Sequence, residues 1–364
     1  MTIPVPITTE QLTEQRQEEE RPSLSSTVGV AFSRRGGRKR HTMNQAQAQL
    51  PVYDLSINAR VSWQAHSLSN AGTNGSNKLM ARRQLLADGS ETDACSGSIA
   101  KHYHAILLAE YLAFSGVPLC PACQRRDGRR VAALTDQPEY KHISMDRILQ
   151  GCGLCDAHGF LVTAKNANAQ QGTETRKKAT KHSLVEFSFA LGLPNRSAET
   201  VHLFTRVGDS KDEGQMLMKM PTRSGEYALS IRYRAVGIGV DTDKWQVVIA
   251  DETQRRVRHC AILSALHDTL LSPEGALTAT MLPHLTGLQG AVVVKKTVGR
   301  APMYSGLVED FVARLHAMQT ADCVVYAFET VDAFSTIMQQ LVMTSFPSFP
   351  AGQASGEHQR EAKG

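Results

Sequence analysis

Two Cys-x-x-Cys pairs constrain this chain more than any other feature. Cys120-Pro121-Ala122-Cys123 and Cys152-Gly153-Leu154-Cys155 are separated by 28 residues. Each pair turns two thiolates toward one side of a metal, and two such turns complete a tetrahedron. Pro121, Gly151 and Gly153 supply the tight turns. The chain has seven cysteines, and an odd, clustered set in a reducing compartment points to metal rather than to a disulfide framework. A structural Zn2+ held by Cys120, Cys123, Cys152 and Cys155 is therefore expected. Four thiolates leave no open position for a catalytic water, so the ion should staple an inserted lobe, residues 118–160, too small to build a core of its own. His158 is a possible substitute ligand, although four cysteines already complete the set. Cys260 and Cys323 lie in apolar surroundings and read as buried core thiols.

Composition sets the class of the remainder. Of 364 residues, 41% are apolar and 21% charged, the ordinary balance of a globular protein, and the net charge of +5 does not by itself identify a nucleic-acid binder. No apolar run approaches the length of a membrane span, and no apolar signal core opens the chain, so a cytoplasmic protein with no membrane contact is expected. Residues 1–50 pass from acidic (Glu18, Glu19, Glu20) to basic (Arg34, Arg35, Arg38, Lys39, Arg40) and read as a disordered leader with a basic arm. Residues 346–364 read as a flexible tail, and the polar, basic stretch 165–182 as a mobile loop.

Between these ends the periodicity is regular. Tyr53, Leu55, Ile57, Ala59, Val61 and Trp63 alternate with polar residues, the pattern of a half-buried strand. A helix follows Ser96-Gly97-Ser98, with Ile99, Tyr103, Ile106, Leu107, Tyr111 and Phe114 on one face. A strand with Val185, Phe187 and Phe189, a strand from Tyr227 to Tyr233, a helix over 254–271 and a strand from Ala291 to Lys295 come next. A helix over Leu307–Met318, a strand over Cys323–Phe328 and a helix over Val331–Met343 complete the chain. The order from Tyr53 to Lys296 is strand, helix, strand, strand, helix, strand. It predicts an α+β, ferredoxin-like domain over residues 51–345, the order also used by RNA-recognition domains.

Several basic and apolar elements are candidates for nucleic-acid contact. A lysine in the first turn of a helix, Lys101, opposes the helix dipole unless an anion lies close by, and Ser96 and Ser98 flank the same helix start. Asn58 and Arg60 on the polar strand face, with Lys78, Arg82 and Arg83, are expected to form a basic groove beside it. The turn bearing Lys295, Lys296 and Arg300 could reach that groove, and Tyr304 offers a stacking surface. Met216, Met218 and Met220 alternate along a segment bracketed by Gly208, Gly214, Pro221 and Gly225, which reads as a protruding hairpin over 205–225. Its methionines would act as a wedge between bases, or simply fill a core.

Several of these stretches resemble the RAMP-superfamily backbone subunits of class 1 CRISPR effector complexes, nearest to the autoregulator-like type I branch and the type IV backbone subunits. They are 56–60 (Ser-Ile-Asn-Ala-Arg), 66–70 (His-Ser-Leu-Ser-Asn), 96–101 (Ser-Gly-Ser-Ile-Ala-Lys), 184–189 (Leu-Val-Glu-Phe-Ser-Phe) and 226–229 (Glu-Tyr-Ala-Leu). Their order carries the similarity across residues 52–345. The resemblance implies a ferredoxin-like palm, a thumb hairpin where the methionines fall, and a finger lobe where the cysteines fall. It also implies a non-catalytic protein that coats CRISPR guide RNA in helical arrays of its own copies, with other effector subunits, and meets target nucleic acid through the guide. The implied guide contacts are Asn58, Arg60, Lys78, Arg82, Arg83, Ser96, Ser98, Lys101, Met216 and Met218. The zinc lobe departs from many such subunits. Two alternatives are a metal-dependent endoribonuclease using Asp54, Asp88 or Asp93, and a zinc-ribbon transcription regulator.

Overall fold

The computed structural model describes residues 49–74, 77–141, 143–163, 178–206 and 216–350. The basic arm of the leader lies outside them. So do the tail from Ala351, most of the 165–182 stretch and the side chain of Met216.

The chain opens with β1 (Leu50–Val52) and the 13-residue β2 (Asp54–His66), then β3 (Asn70–Asn74), β4 (Lys78–Ala81), β5 (Arg83–Leu85) and β6 (Glu91–Cys95). Ser96 caps α1 (Gly97–Phe114) by accepting from the Ser98 amide. The cysteine lobe follows as α2 (Pro121–Gln124), a 3-10 turn at Arg130–Leu134, α3 (Met145–Gly151) and α4 (Gly153–His158). Then come β7 (Phe160–Thr163), β8 (Lys178–Lys181), β9 (Val185–Phe187), β10 (Ala190–Arg206) and β11 (Met216–Tyr233). The last third holds β12 (Val240–Asp241), β13 (Gln246–Val247), α5 (Glu252–Leu271), β14 (His284–Lys295), α6 (Phe311–Ala317), β15 (Cys323–Phe328), α7 (Val331–Thr344) and β16 (Ser345–Pro347).

The molecule is a mixed α+β structure built on one antiparallel sheet. β2 is its hub: Ile57 pairs with Val292 of β14 on one side and with Ile231 of β11 on the other. β15 extends the sheet beyond β14, while β9 and β10 pair with β11 on the far side. Helices α1 and α5 pack together over one face, and Leu55, Ile57, Leu108, Leu112, Ile262 and Leu266 share the main core. A Cβ at Gly290 would lie 2.1 Å from the Asn58 carbonyl, so only glycine lets β14 approach β2 there.

The opposite face is closed as well. Ala291, Val293, Phe311 and Leu315 form a second apolar cluster beneath α6. Residues 301–308 then run as a strap along the polar side of β2. Ser56 donates to Pro302 O (2.6 Å), the Ala301 amide donates to Asp54, the Tyr304 amide donates to Asn58 Oδ1, and Arg60 Nε donates to Gly306 O (2.6 Å). Asp54, Ser56 and Asn58 are consequently buried. The alternation from Tyr53 correctly marks a strand, but its polar face is not the open surface expected of it.

Other expectations shift for local reasons. α1 buries His104, Leu108, Ala109 and Leu112, whereas Phe114 is 94% exposed. The helix lies between α5 and the cysteine lobe, so no single face is its core side, and Tyr103 and Tyr111 tie their hydroxyls to Gly275 O and Asp268 instead. Cys260 is only half-buried, with its thiol on Val342 O. Pro221 and Gly225, read as turn-formers, sit inside β11 opposite Val201 and Ser197, so the paired arms extend well beyond 205–225. Within the 165–182 stretch, β8 pairs with β7 and Lys181 is fully buried. β16 pairs in parallel with β1, Leu50 opposite Ser345, and Arg255 stacks on Phe349 at 3.9 Å. The tail expected from 346 therefore begins inside an anchored strand.

Candidate metal centre and nucleic-acid interface

The four cysteines of the two Cys-x-x-Cys pairs meet. Their sulfurs all lie within 4.8 Å of one another, and all four residues are buried. Cys155 Sγ is 3.9 Å from Cys120 Sγ and 3.7 Å from Cys123 Sγ, far beyond a disulfide bond of about 2.05 Å. A tetrahedral Zn2+ with bonds of about 2.3 Å spaces its sulfurs about 3.8 Å apart, so the donor set fits that ion. Pro121 opens α2 directly after Cys120, and Cys152 caps α4 with its sulfur accepting from the Cys155 amide. Short helices thus aim both pairs inward. His158 is turned elsewhere: its Nε2 lies 2.8 Å from His104 Nδ1. Burial pushes both imidazoles down, His104 to about 3, which keeps the pair neutral.

One residue beyond Cys155, Asp156 ties the lobe to the sheet domain. Its carboxylate accepts from Lys181 Nζ (2.5 Å), Arg258 (2.7 Å) and the Gly239 amide, and all three side chains are almost wholly buried. Burial alone would raise the Asp156 carboxyl, but Lys181 and Arg258 more than reverse this and hold it below the usual carboxylate range. Lys181 also donates to Gly237 O and Val240 O, and Arg258 to Leu149 O. A sheet edge, α3, α4 and α5 therefore meet at one carboxylate.

The expected nucleic-acid contacts do not form one groove. Asn58 and Arg60 are consumed by the strap, and Arg60 also lies over the Phe311 ring at 5.5 Å. Arg82 braces the 69–70 turn through Ser69 Oγ and Asn70 O, while exposed Arg83 reaches Glu199 at 3.6 Å. Lys78 pairs across to Lys219 beside the long hairpin, where Met218 faces Phe204. Ser96 is a buried cap whose hydroxyl meets Ser98 Oγ at 2.5 Å, leaving Ser98 at the surface.

A second set gathers elsewhere. Lys101, the fifth residue of α1, is half-buried, its amine pushed down by burial and by nearby Arg130, with Glu186 opposing. Glu186 in turn pairs with Arg232 at 3.3 Å and lies within electrostatic reach of Arg234. Arg300 lies 3.6 Å from buried Asp54 and also faces Arg234, while Lys295 is the last residue of β14 and Lys296 follows it. Arg130, Lys101, Arg232, Arg234 and Arg300 thus form a basic band, interrupted by Glu186 and Asp54, between the cysteine lobe and the 295–300 turn. Arg234 lies over the exposed Trp245 ring at 5.4 Å. Sequence reasoning missed Arg130 and Trp245. The run Arg125-Arg126-Asp127-Gly128-Arg129-Arg130 between the cysteine pairs was the available signal for the first, and nothing local marks the second.

The carboxylates considered for cleavage stand apart. Burial raises the Asp54 carboxyl, against the opposing pull of the Ala301 amide and Arg300. Asp93 is locked to Arg223 (2.7 Å) and the Tyr227 hydroxyl, and Asp88 sits in an exposed turn against Ser90. Among the described residues, the four cysteines form the one cluster suited to hold a metal ion. No helix among them is long and apolar enough to cross a membrane.

Comparison with known proteins defines the class. The family model described as "DevR: CRISPR-associated negative auto-regulator DevR/Csa2" matches residues 57–315, most of the sheet domain and all of the cysteine lobe. The chain belongs to this family of CRISPR-associated proteins. No curated protein matches it by sequence. Among solved structures, it is similar to a chain of a "CRISPR RNA-guided surveillance complex, pre-nicking" (13% identity, 80% of this chain and 99% of that one, TM-score 0.41). It is also similar to a chain of a "CRISPR RNA-guided surveillance complex" (12% identity, 80% and 98%, TM-score 0.42).

Proposed function

We propose that this protein is a non-catalytic backbone subunit that binds CRISPR guide RNA and lines up along it in multiple copies, with other effector subunits. The observation that carries the reading is the family match over residues 57–315. A ferredoxin-like palm is supported by the sheet order β14-β2-β11-β9 and by α1 and α5 sharing one face. The basic band supports phosphate contact, which is largely independent of sequence and sensitive to salt. The scattered, internally engaged carboxylates argue against the endoribonuclease reading, because a two-metal site needs a convergent cluster. Lobe helices of four to seven residues argue against a zinc-ribbon regulator with a recognition helix.

Zn2+ bound by Cys120, Cys123, Cys152 and Cys155 would supply folding free energy to the lobe and no chemistry to a substrate. The test is purification with a co-expressed CRISPR guide RNA, followed by measurement of particle mass and RNA content. A multi-copy particle protecting RNA at regular intervals is expected. An RNA-free monomer that binds one duplex sequence would overturn the reading in favour of the regulator.

A further inference from the structure

A recess of about 190 Å³ lies between the start of α1 and the cysteine lobe. Ser98, Lys101 and His102 line it from the helix, and Arg126, Asp127 and Arg130 from the lobe. Two of the lobe's charges are already matched: Arg126 is held by Glu110 (2.7 Å) and Asp127 by Arg129 (2.9 Å). Lys101 and Arg130 are not. Neither side chain makes an ion pair or a hydrogen bond among the described residues; Glu186 lies within electrostatic reach of Lys101, and Arg130 stands close enough to disfavour the charge on Lys101. Two like charges from different elements that face one recess, neither of them in a direct ion pair, repel until an anion joins them. Arg130 is also fixed by its backbone. It sits at φ +54 at the head of the 3-10 turn, and Val131 and Leu134 of that turn are buried in the core shared with the cysteines. The recess is thus half palm and half lobe, and its lobe half is held in place by the four-sulfur centre.

We propose that Lys101 and Arg130 jointly grip one backbone phosphate of a single-stranded RNA, so that the cysteine lobe is itself part of the RNA-binding surface. This rests on the RNA-binding reading above and assigns the lobe a role in it. The test is titration of the full-length, metal-replete protein with a fluorescently labelled single-stranded RNA of fixed sequence over a range of salt. Lys101→Ala and Arg130→Gln should each weaken binding by about three- to tenfold, and each should lower the log–log salt slope by about 0.7. The double variant should lose clearly less than the product of the two single losses, because one phosphate serves both side chains. Arg130→Lys should restore the slope, and Arg129→Gln, already paired and outside the recess, should bind as wild type does. Wild-type binding by Arg130→Gln alongside weakened Lys101→Ala would overturn the shared grip and leave the RNA-binding reading standing, as would fully multiplicative losses. Failure of the wild-type protein to bind RNA at any salt would overturn both.

Discussion

The cysteine lobe and the long β10–β11 hairpin are both insertions into the same sheet domain, and they are held by opposite means. The lobe closes on itself: short helices turn four sulfurs inward, and Asp156 fixes it from below through two buried cations. The hairpin turns its apolar side chains outward. Val201, Leu203, Phe204 and Leu217 are exposed along its paired arms. A two-stranded ribbon has too little surface to bury such residues against itself. One insertion therefore carries its own reason to be folded, while the other presents apolar surface that none of the described residues covers.

That contrast can be broken in a definite order of effect. Chelator treatment of the zinc-loaded protein should abolish amide-exchange protection across Met145–His158 while leaving β2 and β14 protected; loss of protection in both would make the four-sulfur centre central to the whole chain. Asp156→Ala should come next. It leaves Lys181 and Arg258 buried without their partner, a loss of about 3–5 kcal/mol, read as a large drop in denaturant midpoint. The pH dependence has a fixed sign. The folded Asp156 pKa lies below the ordinary value of 3.8, so its contribution is fully present above about pH 4 and is lost as pH falls through the folded pKa. Lys101→Ala should leave stability almost unchanged and weaken RNA binding alike for all sequences; a loss confined to particular sequences would count against phosphate contact. The smallest effect on stability belongs to the hairpin. Leu203→Ser should shift unfolding by no more than about 0.5 kcal/mol while reducing assembly on guide RNA, and unchanged assembly would show that the exposed apolar surface has no partner there.

What the sequence revealed follows the distance over which its signals act. The cysteine centre was legible because each Cys-x-x-Cys turn fixes its own geometry, leaving one long-range meeting to infer. The principal elements β2, α1, β9, β11, α5 and β14 were legible from periodicity, whereas the short strands between them were not. The polar face of β2 was misjudged, because period-two alternation says only that the two faces differ. Whether the polar face is wet was decided by the strap at 301–308, which meets Ser56, Asn58 and Arg60 across 246 residues of chain. Pro221 was misread for a related reason: proline is read as a breaker, yet an edge position without a ladder donor tolerates it. The face of α1 was missed because the helix is packed on two sides. Arg130 and Lys101, far apart in the chain, become neighbours only once the lobe folds back on α1.

The parallel pairing of β1 with β16 has a mechanical consequence. Tension applied at Leu50 and Pro347 would act at opposite ends of two strands that run the same way. The load would fall on that clasp in shear, stretching its rungs together rather than peeling them one at a time. The neighbouring ties from Ser348 to Val52, from His259 to Ser345 and from Arg255 to Ile238 and Ser348 would share it. Pulling at Leu50 and Pro347 should therefore meet its first resistance at this clasp, before the central sheet or the cysteine lobe is strained.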